Sequence, residues 1–280
     1  MTWADAWNGA SYPDELRSIR VMEWDDFVAG VEMAEDYFVQ TIVNSILFGD
    51  AWILKHAFTP EFLHSAKIRT IAWMKDRPSE FHKILDGAPD FQRQIDLETG
   101  KKYSVAGCRQ SAYFFRWNDD PLNLWPEVTK RWRVLKTAMG MRYDEYEANK
   151  PSDGPTDRLQ IARYLPSNGY LEPHRDSAAH QPCFISVYMS RRGRDYTGGG
   201  FYFVQDGEAR YAEDEIDVGD ICIGHANLLH GVAPCDGEPS WDKTDGRWWM
   251  GLYSNASDYG TRATSMPERI IIAGTTPEGV

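Results

Sequence analysis

The chain has 280 residues, of which 42% are hydrophobic and 13% aromatic, a composition typical of a folded globular protein with a substantial core. Thirty basic residues against forty-two acidic ones give a net charge of −12, and no long basic run offsets it, so no nucleic-acid partner is expected. No apolar run approaches the length of a membrane span, and the N-terminal segment lacks the features of a secretory signal, so we expect neither.

The four cysteines, Cys108, Cys183, Cys222 and Cys235, form no C-x-x-C pair. Cys183 and Cys222 lie in or beside apolar runs, where a free cysteine behaves as a small hydrophobic residue. We therefore expect reduced thiols and a cytoplasmic location.

The N-terminal half shows mainly helical periodicity. Residues 24–47 carry apolar side chains at helical spacings, and residues 50–58 are typical of a short strand. Thr59 is a good N-cap and Pro60 suits the first turn, so a helix is predicted to begin there. A further helix is predicted over residues 122–141.

The character of the chain changes at about Asp157. Short β-prone runs then follow one another, separated by turn signals; they cover residues 158–165, 182–190, 199–205, 220–225 and 247–254. Successive short strands without intervening helices predict an antiparallel sandwich or jelly roll. We predict an α+β fold, in which a helical N-terminal section packs on a double-stranded β-helix of the cupin-like jelly-roll type.

The whole chain is expected to form a single catalytic domain, residues 1–280. Residues 1–156 would supply mainly helical support and outer strands, residues 157–256 the double-stranded β-helix, and residues 257–280 a C-terminal tail.

The triplet His174-Arg175-Asp176 allows two interpretations. A protein-kinase catalytic loop would require Asn five residues after the Asp, where this chain has Gln181, and the sequence has neither the matching Gly-rich loop nor a D-F-G. The kinase interpretation therefore fails. In the second interpretation His174 and Asp176 are metal ligands, because residues two apart on a strand point to the same face.

A third ligand would have to come from another of the seven histidines. His230 follows the predicted strand 220–225 and would complete two histidines and one carboxylate, the facial triad of non-haem Fe(II) oxygenases. His225 competes with His230 for this role. His180 is expected to be a loop residue.

Five segments occur in one order: DRLQIARYLPSNGYLEPHRDS, FISVYMS, TGGGFYFV, DVGDICIGHANLLHGVAP and GRWWMGLYS. Over about residues 157–256 this pattern resembles the Fe(II)/2-oxoglutarate-dependent oxygenases, most closely the prolyl-hydroxylase-like branch. No single segment would suffice, but their agreement in order makes the pattern specific.

The resemblance implies that His174, Asp176 and His230 ligate Fe(II). It favours His230 over His225, because LHGVAP belongs to a matched segment.

The same resemblance implies a site for 2-oxoglutarate. Arg247 would bind its distal carboxylate, since a planar guanidinium can donate two parallel hydrogen bonds. Tyr164 and Tyr188 match tyrosines that hydrogen-bond this cosubstrate.

The chain departs from the family pattern after the third ligand. Arg247 follows His230 by seventeen residues (247 − 230 = 17), further than in many relatives. The longer loop 235–246 is a candidate part of a substrate lid. Trp249 stands where several branches have Ser, and it should narrow the pocket because it shares a strand face with Arg247.

The implied activity is hydroxylation of a small molecule, such as an amino acid or a natural-product intermediate, with release of succinate and CO2. Fe(II), 2-oxoglutarate and O2 would be required, with ascorbate a candidate reductant. Asp176 argues against halogenation, because related halogenases replace this carboxylate. The alternatives are a peptidyl or protein substrate, desaturation or epoxidation, and a metal-binding cupin-like protein without 2-oxoglutarate, which would have no need of Arg247.

Overall fold

The computed structural model describes residues 1–8, 12–241, 243–259, 272 and 275–277. Its α-helices are α1 (Trp3–Trp7), α2 (Trp24–Met33), α3 (Asp36–Leu47), α4 (Pro60–Lys75), α5 (Leu97–Gly100) and α6 (Trp125–Ala138). Its strands are β1 (Ser18–Glu23), β2 (Asp50–Lys55), β3 (Phe91–Ile95), β4 (Gly107–Phe115), β5 (Thr156–Tyr164), β6 (Tyr170–His174), β7 (Cys183–Tyr188), β8 (Gly198–Gln205), β9 (Glu208–Tyr211), β10 (Ile221–His225), β11 (His230–Cys235) and β12 (Arg247–Asn255).

The predicted helices form, with one difference. The Thr59 side chain accepts a hydrogen bond from the Phe62 amide at 3.3 Å, which caps α4 as the sequence predicts. The helical region 24–47 is divided into α2 and α3, because Ala34 adopts a left-handed backbone with φ of 50° and ends the first helix.

Strands β5 to β12 form two antiparallel sheets that face each other. One has the order β10-β7-β12-β5 and the other the order β6-β11-β8-β9. Strand β4 joins them, since it pairs with β5 along most of its length and with β6 at Gly107 and Cys108. Strands β1, β2 and β3 extend the first sheet. This is the jelly roll that the sequence predicts, with N-terminal strands added to it.

Alternation along the strands separates two apolar cores. On β12, Trp248 packs with Ile161 and the helices on the outer face, whereas Trp249 packs with Tyr164 and Phe184 between the sheets. The inner face therefore determines which side chains can reach a site inside the jelly roll.

Several sequence predictions concern the chain as a whole. All four cysteines are buried free thiols. Among the described residues, no helix is long and apolar enough to cross a membrane. The single-domain division, the cytoplasmic location and the lack of a nucleic-acid partner stay predictions, and most of the predicted tail 257–280 lies outside the described residues.

Candidate metal centre

Two neighbouring strands bring the two histidines together. His174 ends β6 and His230 begins β11, and the antiparallel register makes them Cα partners. Their rings lie 4.4 Å apart, centroid to centroid. The strand pairing thus brings together two residues that are 56 positions apart in the chain (230 − 174 = 56).

Asp176 is positioned differently from what the sequence predicts. It does not lie on the strand with His174, because β6 ends at His174 and an irregular segment follows. The Asp176 amide donates to the Ala226 carbonyl at 2.9 Å, which ties this segment to the loop before β11. Arg175 reinforces the tie through hydrogen bonds from Nη1 to the carbonyls of Asp14 and Asn227.

The three side chains converge with their metal-binding atoms inward. Nε2 of His174 lies 3.6 Å from one Asp176 carboxylate oxygen, and Nε2 of His230 lies 3.8 Å from the other. One ligand atom from each residue lies within 4.8 Å of the other two. Such spacing suits donors that surround one small cation.

Backbone carbonyls determine which ring nitrogen of each histidine is free to bind a metal. Nδ1 of His174 lies 2.9 Å from the Glu172 carbonyl oxygen, and Nδ1 of His230 lies 2.8 Å from that of Leu228. A carbonyl only accepts, so each Nδ1 carries the proton and each Nε2 presents a lone pair to the site. Metal-binding histidines are commonly oriented in this way.

The surroundings keep the ligands in their metal-binding form. Phe184 and Phe201 lie 5.3 and 5.5 Å from the His230 ring. Burial, together with the neighbouring His230, lowers the pKa of His174 to about 4. His174 is therefore neutral near neutral pH, as a ligand must be.

His225 does not join the site. Its Nδ1 accepts a hydrogen bond from the Asn227 amide at 3.0 Å, and its ring packs 4.6 Å from Tyr12. Burial lowers its pKa to about 4. Within the part of the chain that the structure describes, it belongs to no group of potential ligands, nor does His180.

A cavity of about 220 Å³ lies next to the triad. Its wall includes the side chains of Arg109, Arg158, Gln160, Tyr164, His174, Asp176, Gln181, Phe184, Trp249 and Tyr253. Tyr164 and Trp249 therefore line the cavity, as the sequence suggests. Neither Tyr188 nor Arg247 is among the described residues that line it.

Arg247 is instead held in a buried ion pair. Its Nε donates to a Glu213 carboxylate oxygen at 2.5 Å, and both side chains are 2% exposed. Burial opposes the charge of Arg247, but Glu213 outweighs it and raises the Arg247 pKa. Tyr196 donates to the same carboxylate. Gly200 makes room for it with φ of 108°, since a Cβ there would lie 2.1 Å from Glu213 Oε2.

Loop 235–246 packs away from the triad. Arg163 donates to the carbonyls of Asp245, at 2.7 Å, and Ser240, at 2.9 Å. Pro239, Ser240 and Trp241 line a different cavity. The described residues of this loop therefore do not cover the metal site.

In sequence, neither a protein-family model nor a curated protein matches the chain. In structure, it is similar to the full-length Neurospora crassa thymine hydroxylase in complex with alpha-KG (2-oxoglutarate) and thymine, with a TM-score of 0.51, 12% identity and coverage of 95% of each chain. A C-terminally truncated form of that hydroxylase, in apo form, gives a TM-score of 0.52 at 11% identity, covering 84% of this chain and 94% of that one. A Pseudomonas putida prolyl-4-hydroxylase is more distant, with a TM-score of 0.46 at 10% identity, covering 78% and 99%.

The fold is that of the 2-oxoglutarate oxygenases.

Within this oxygenase fold, sequence reasoning missed three charged residues near the site: Arg109, Arg158 and Glu213. The signal for Arg158 was available, because two-residue alternation along β5 places it on the same face as Tyr164. Arg109 lies near the bend where β4 passes from one sheet to the other, and Glu213 lies in a connection between strands. No short-range pattern marks either of them.

Proposed function

We propose that the protein is an Fe(II)/2-oxoglutarate-dependent dioxygenase that hydroxylates a small molecule. The supporting observation is the convergence of His174, Asp176 and His230, with their ligand atoms within 4.8 Å of one another, in a jelly roll of the oxygenase type. The hydrogen bonds from Nδ1 of His174 and His230 to backbone carbonyls are a second, independent indication of a metal site. They leave the Nε2 atom of each ring free to bind a metal.

His174, Asp176 and His230 would hold the iron on one face and leave its other positions open. Iron bound there, with 2-oxoglutarate and O2, would supply oxidative decarboxylation to succinate and CO2, coupled to hydroxylation of the substrate. The chain's own contribution is to orient both reactants and to exclude water, and Phe184 and Phe201 serve the second purpose around His230.

Two buried donor groups, one on Arg247 and one on Tyr188, are suited to bind a carboxylate. Among the described residues, neither Arg247 Nη1 nor the Tyr188 hydroxyl has a hydrogen-bond partner. An unsatisfied buried donor costs about 1–3 kcal/mol, so an acceptor is expected there. Burial raises the pKa of Tyr188, which keeps its hydroxyl protonated as a donor. We propose these two residues for the distal carboxylate of 2-oxoglutarate, with Tyr164 beside them.

Trp249 shares a strand face with Arg247 but lines the metal cavity. Arg247, two residues earlier, does not line it. The indole lies over Gly251 and toward Tyr253, where it forms part of the aromatic wall of the cavity.

The size of the cavity favours a small substrate over a peptide. A volume of about 220 Å³ is below the usual range for drug-sized ligand sites. Its wall combines the aromatic rings of Phe184, Trp249 and Tyr253 with the polar groups of Gln160 and Gln181. Hydroxylation is the default outcome with Asp176 present, and desaturation or epoxidation would use the same site.

The test is an anaerobic titration of metal-free protein with Fe(II) and 2-oxoglutarate, followed by visible absorption. We expect a weak charge-transfer band that requires both additions, and we expect it to be lost in His174→Ala and Asp176→Ala. His180→Ala is the matched control, because this histidine lies close in sequence but outside the triad. Metal binding without the band would support the metal-binding cupin alternative, and absence of metal binding would refute both.

A further inference from the structure

Two arginines on the wall of the metal cavity have no carboxylate partner. Arg109 on β4 and Arg158 on β5 both line the cavity with His174 and Asp176. In the described part of the chain, neither makes an ion pair, although the chain carries twelve more acidic than basic residues (42 − 30 = 12). Acidic side chains are abundant in this chain, so two arginines without an acidic partner on one cavity wall are unusual.

Other enclosed arginines of the chain do have such partners. Arg116 pairs with Asp157 at 3.0 Å, Arg163 with Asp245 at 3.3 Å, and Arg247 with Glu213 at 2.5 Å. These three do not line the metal cavity. Arg69 and Arg93 are also half-buried without an ion pair among the described residues, but they lie outside the cavity. Arg109 and Arg158 are the unpaired arginines that line it.

Aromatic rings stack on the Arg158 guanidinium without neutralising it. The Arg158 guanidinium carbon lies 5.5 Å from the Tyr113 ring centre and 5.1 Å from that of Tyr253. Tyr113 and Tyr253 also lie close enough to Arg109 to affect its pKa. Stacking of this kind orients a guanidinium and leaves its N–H edge available.

The surroundings of both groups favour an anion. The Nε of Arg158 is buried and has no hydrogen-bond partner among the described residues. Arg109 and Arg158 line the same cavity, so two like charges lie on one wall. An arginine cannot relieve this by losing its proton, because its pKa lies above about 12. A carboxylate would supply acceptors for both groups.

We propose that the primary substrate is a small carboxylic acid whose carboxylate is held by Arg109 and Arg158 beside the metal. This inference rests on the proposed function and names its substrate class. Because the anchor and the triad line one cavity of about 220 Å³, the carbon that reacts lies only a few bonds from the carboxylate.

The experiment uses Mn(II)-loaded protein saturated with 2-oxoglutarate, so that binding is measured without turnover. The probes are small aromatic and aliphatic monocarboxylic acids, each paired with the primary amide of the same skeleton. Thermal shift and calorimetric titration compare each acid with its amide. We expect acids to bind about tenfold or more tightly than amides, since a charge-assisted hydrogen bond is worth roughly 1.5–3 kcal/mol.

The variants Arg109→Gln and Arg158→Gln should abolish the preference for the acid, and Arg158→Lys should keep part of it. Arg93→Gln is the matched control, because Arg93 also stacks on two rings, those of Phe81 and Tyr103, but lies outside the cavity. Retained Mn(II) binding shows that a variant is folded.

The affinity for 2-oxoglutarate, measured by the Fe(II) charge-transfer band, should change by less than about threefold in both glutamine variants, because this cosubstrate is assigned to the Arg247 end. Acids that gain nothing over their amides would overturn the proposal. A tenfold loss of 2-oxoglutarate affinity in either variant would also overturn it, by assigning that arginine to the cosubstrate. A wild-type protein that prefers acids but shows no band would refute the oxygenase assignment and leave the anion site standing.

Discussion

Arginines on the same inner sheet face have two different environments. At one end, Arg247 is neutralised by Glu213, which Tyr196 also contacts. On the cavity wall, Arg109 and Arg158 have aromatic neighbours and no acid. Arg247 therefore has a structural counter-ion beside its unpaired Nη1, whereas Arg109 and Arg158 have no acidic partner among the described residues.

Arg158 and Arg247 lie too far apart along the strands to bind one carboxylate. On the β5–β12 pair, Arg247 lies opposite Tyr164, and Tyr253 lies opposite Arg158. Six residues of β12 separate these positions (253 − 247 = 6), or about 20 Å of strand. Arg158 and Arg247 must therefore serve different chemical groups. Arg109 lies nearer to Arg247, because β4 pairs Gln110 with Arg163, the neighbour of Tyr164.

Stability should distinguish the regions most sharply. Glu213→Ala should lower the free energy of unfolding by about 3–5 kcal/mol, because it leaves Arg247 buried without a counter-ion. Arg158→Met should leave stability unchanged or raise it, because it removes a charge that has no partner. Urea denaturation monitored by fluorescence measures both.

The double variant Glu213→Gln/Arg247→Met provides the control. It should be far more stable than Glu213→Ala, because replacing both partners of a buried pair is often nearly neutral. A double variant as unstable as Glu213→Ala would show that packing, not charge, dominates this region.

Binding of 2-oxoglutarate should depend on the Arg247 end. In Glu213→Gln/Arg247→Met, the dissociation constant for 2-oxoglutarate should rise about tenfold or more, since charge-assisted hydrogen bonds to the carboxylate are lost. The apparent KM for the primary substrate should change much less. An equal effect on both constants would make Arg247 a purely structural residue.

Trp249 offers a smaller test of the boundary between the regions. Trp249→Phe should leave the affinity for 2-oxoglutarate within about twofold of the wild type, because the indole lies over Gly251 and toward Tyr253, away from Arg247. Trp248→Phe is the control, since Trp248 packs on the opposite face of the same strand. A tenfold loss of affinity in Trp249→Phe alone would instead assign the indole to the 2-oxoglutarate end of the site.

Asp90 extends the comparison to an acid. Burial raises the pKa of Asp90 from 3.8 to about 6, and its carboxylate accepts hydrogen bonds from the Phe115 amide and Asn118. The folded state holds this proton more tightly than the unfolded state. The resulting stabilisation is complete below pH 3.8 and is lost as the pH rises through about 6.

The stability of the wild type relative to Asp90→Asn should therefore fall between about pH 4 and pH 6 and stay constant above about pH 7. Urea denaturation at several pH values measures this difference. A difference that does not vary with pH would mean that Asp90 titrates normally. Unlike Asp90, an arginine cannot adjust its charge in this way, which is why Arg109 and Arg158 point to a ligand.

The sequence predicted the jelly roll and the triad because both depend on local patterns. Runs of β-prone residues mark β5, β7, β8, β10 and β12, and His174 and His230 lie in segments with family character. Strands β1 and β3 were not predicted, because β1 has a largely polar, partly exposed pattern and β3 is short and polar.

The electrostatics of the site could not be predicted in the same way. Glu213 meets Arg247 across 34 residues of chain, and Arg109 reaches the cavity only because β4 bridges the two sheets. Such contacts depend on tertiary arrangement, and no spacing in the sequence encodes them. The position of Asp176 beyond the end of β6 likewise follows from its hydrogen bond to Ala226.

The pairing of β6 with β11 gives a bound ion a second role. An ion held by His174, Asp176 and His230 would close a loop of 56 residues (230 − 174 = 56), as a cross-link does. Loss of the ion would raise the population of partly unfolded molecules, which are the molecules that proteases cleave. Iron supply would then set the lifetime of the protein as well as its activity.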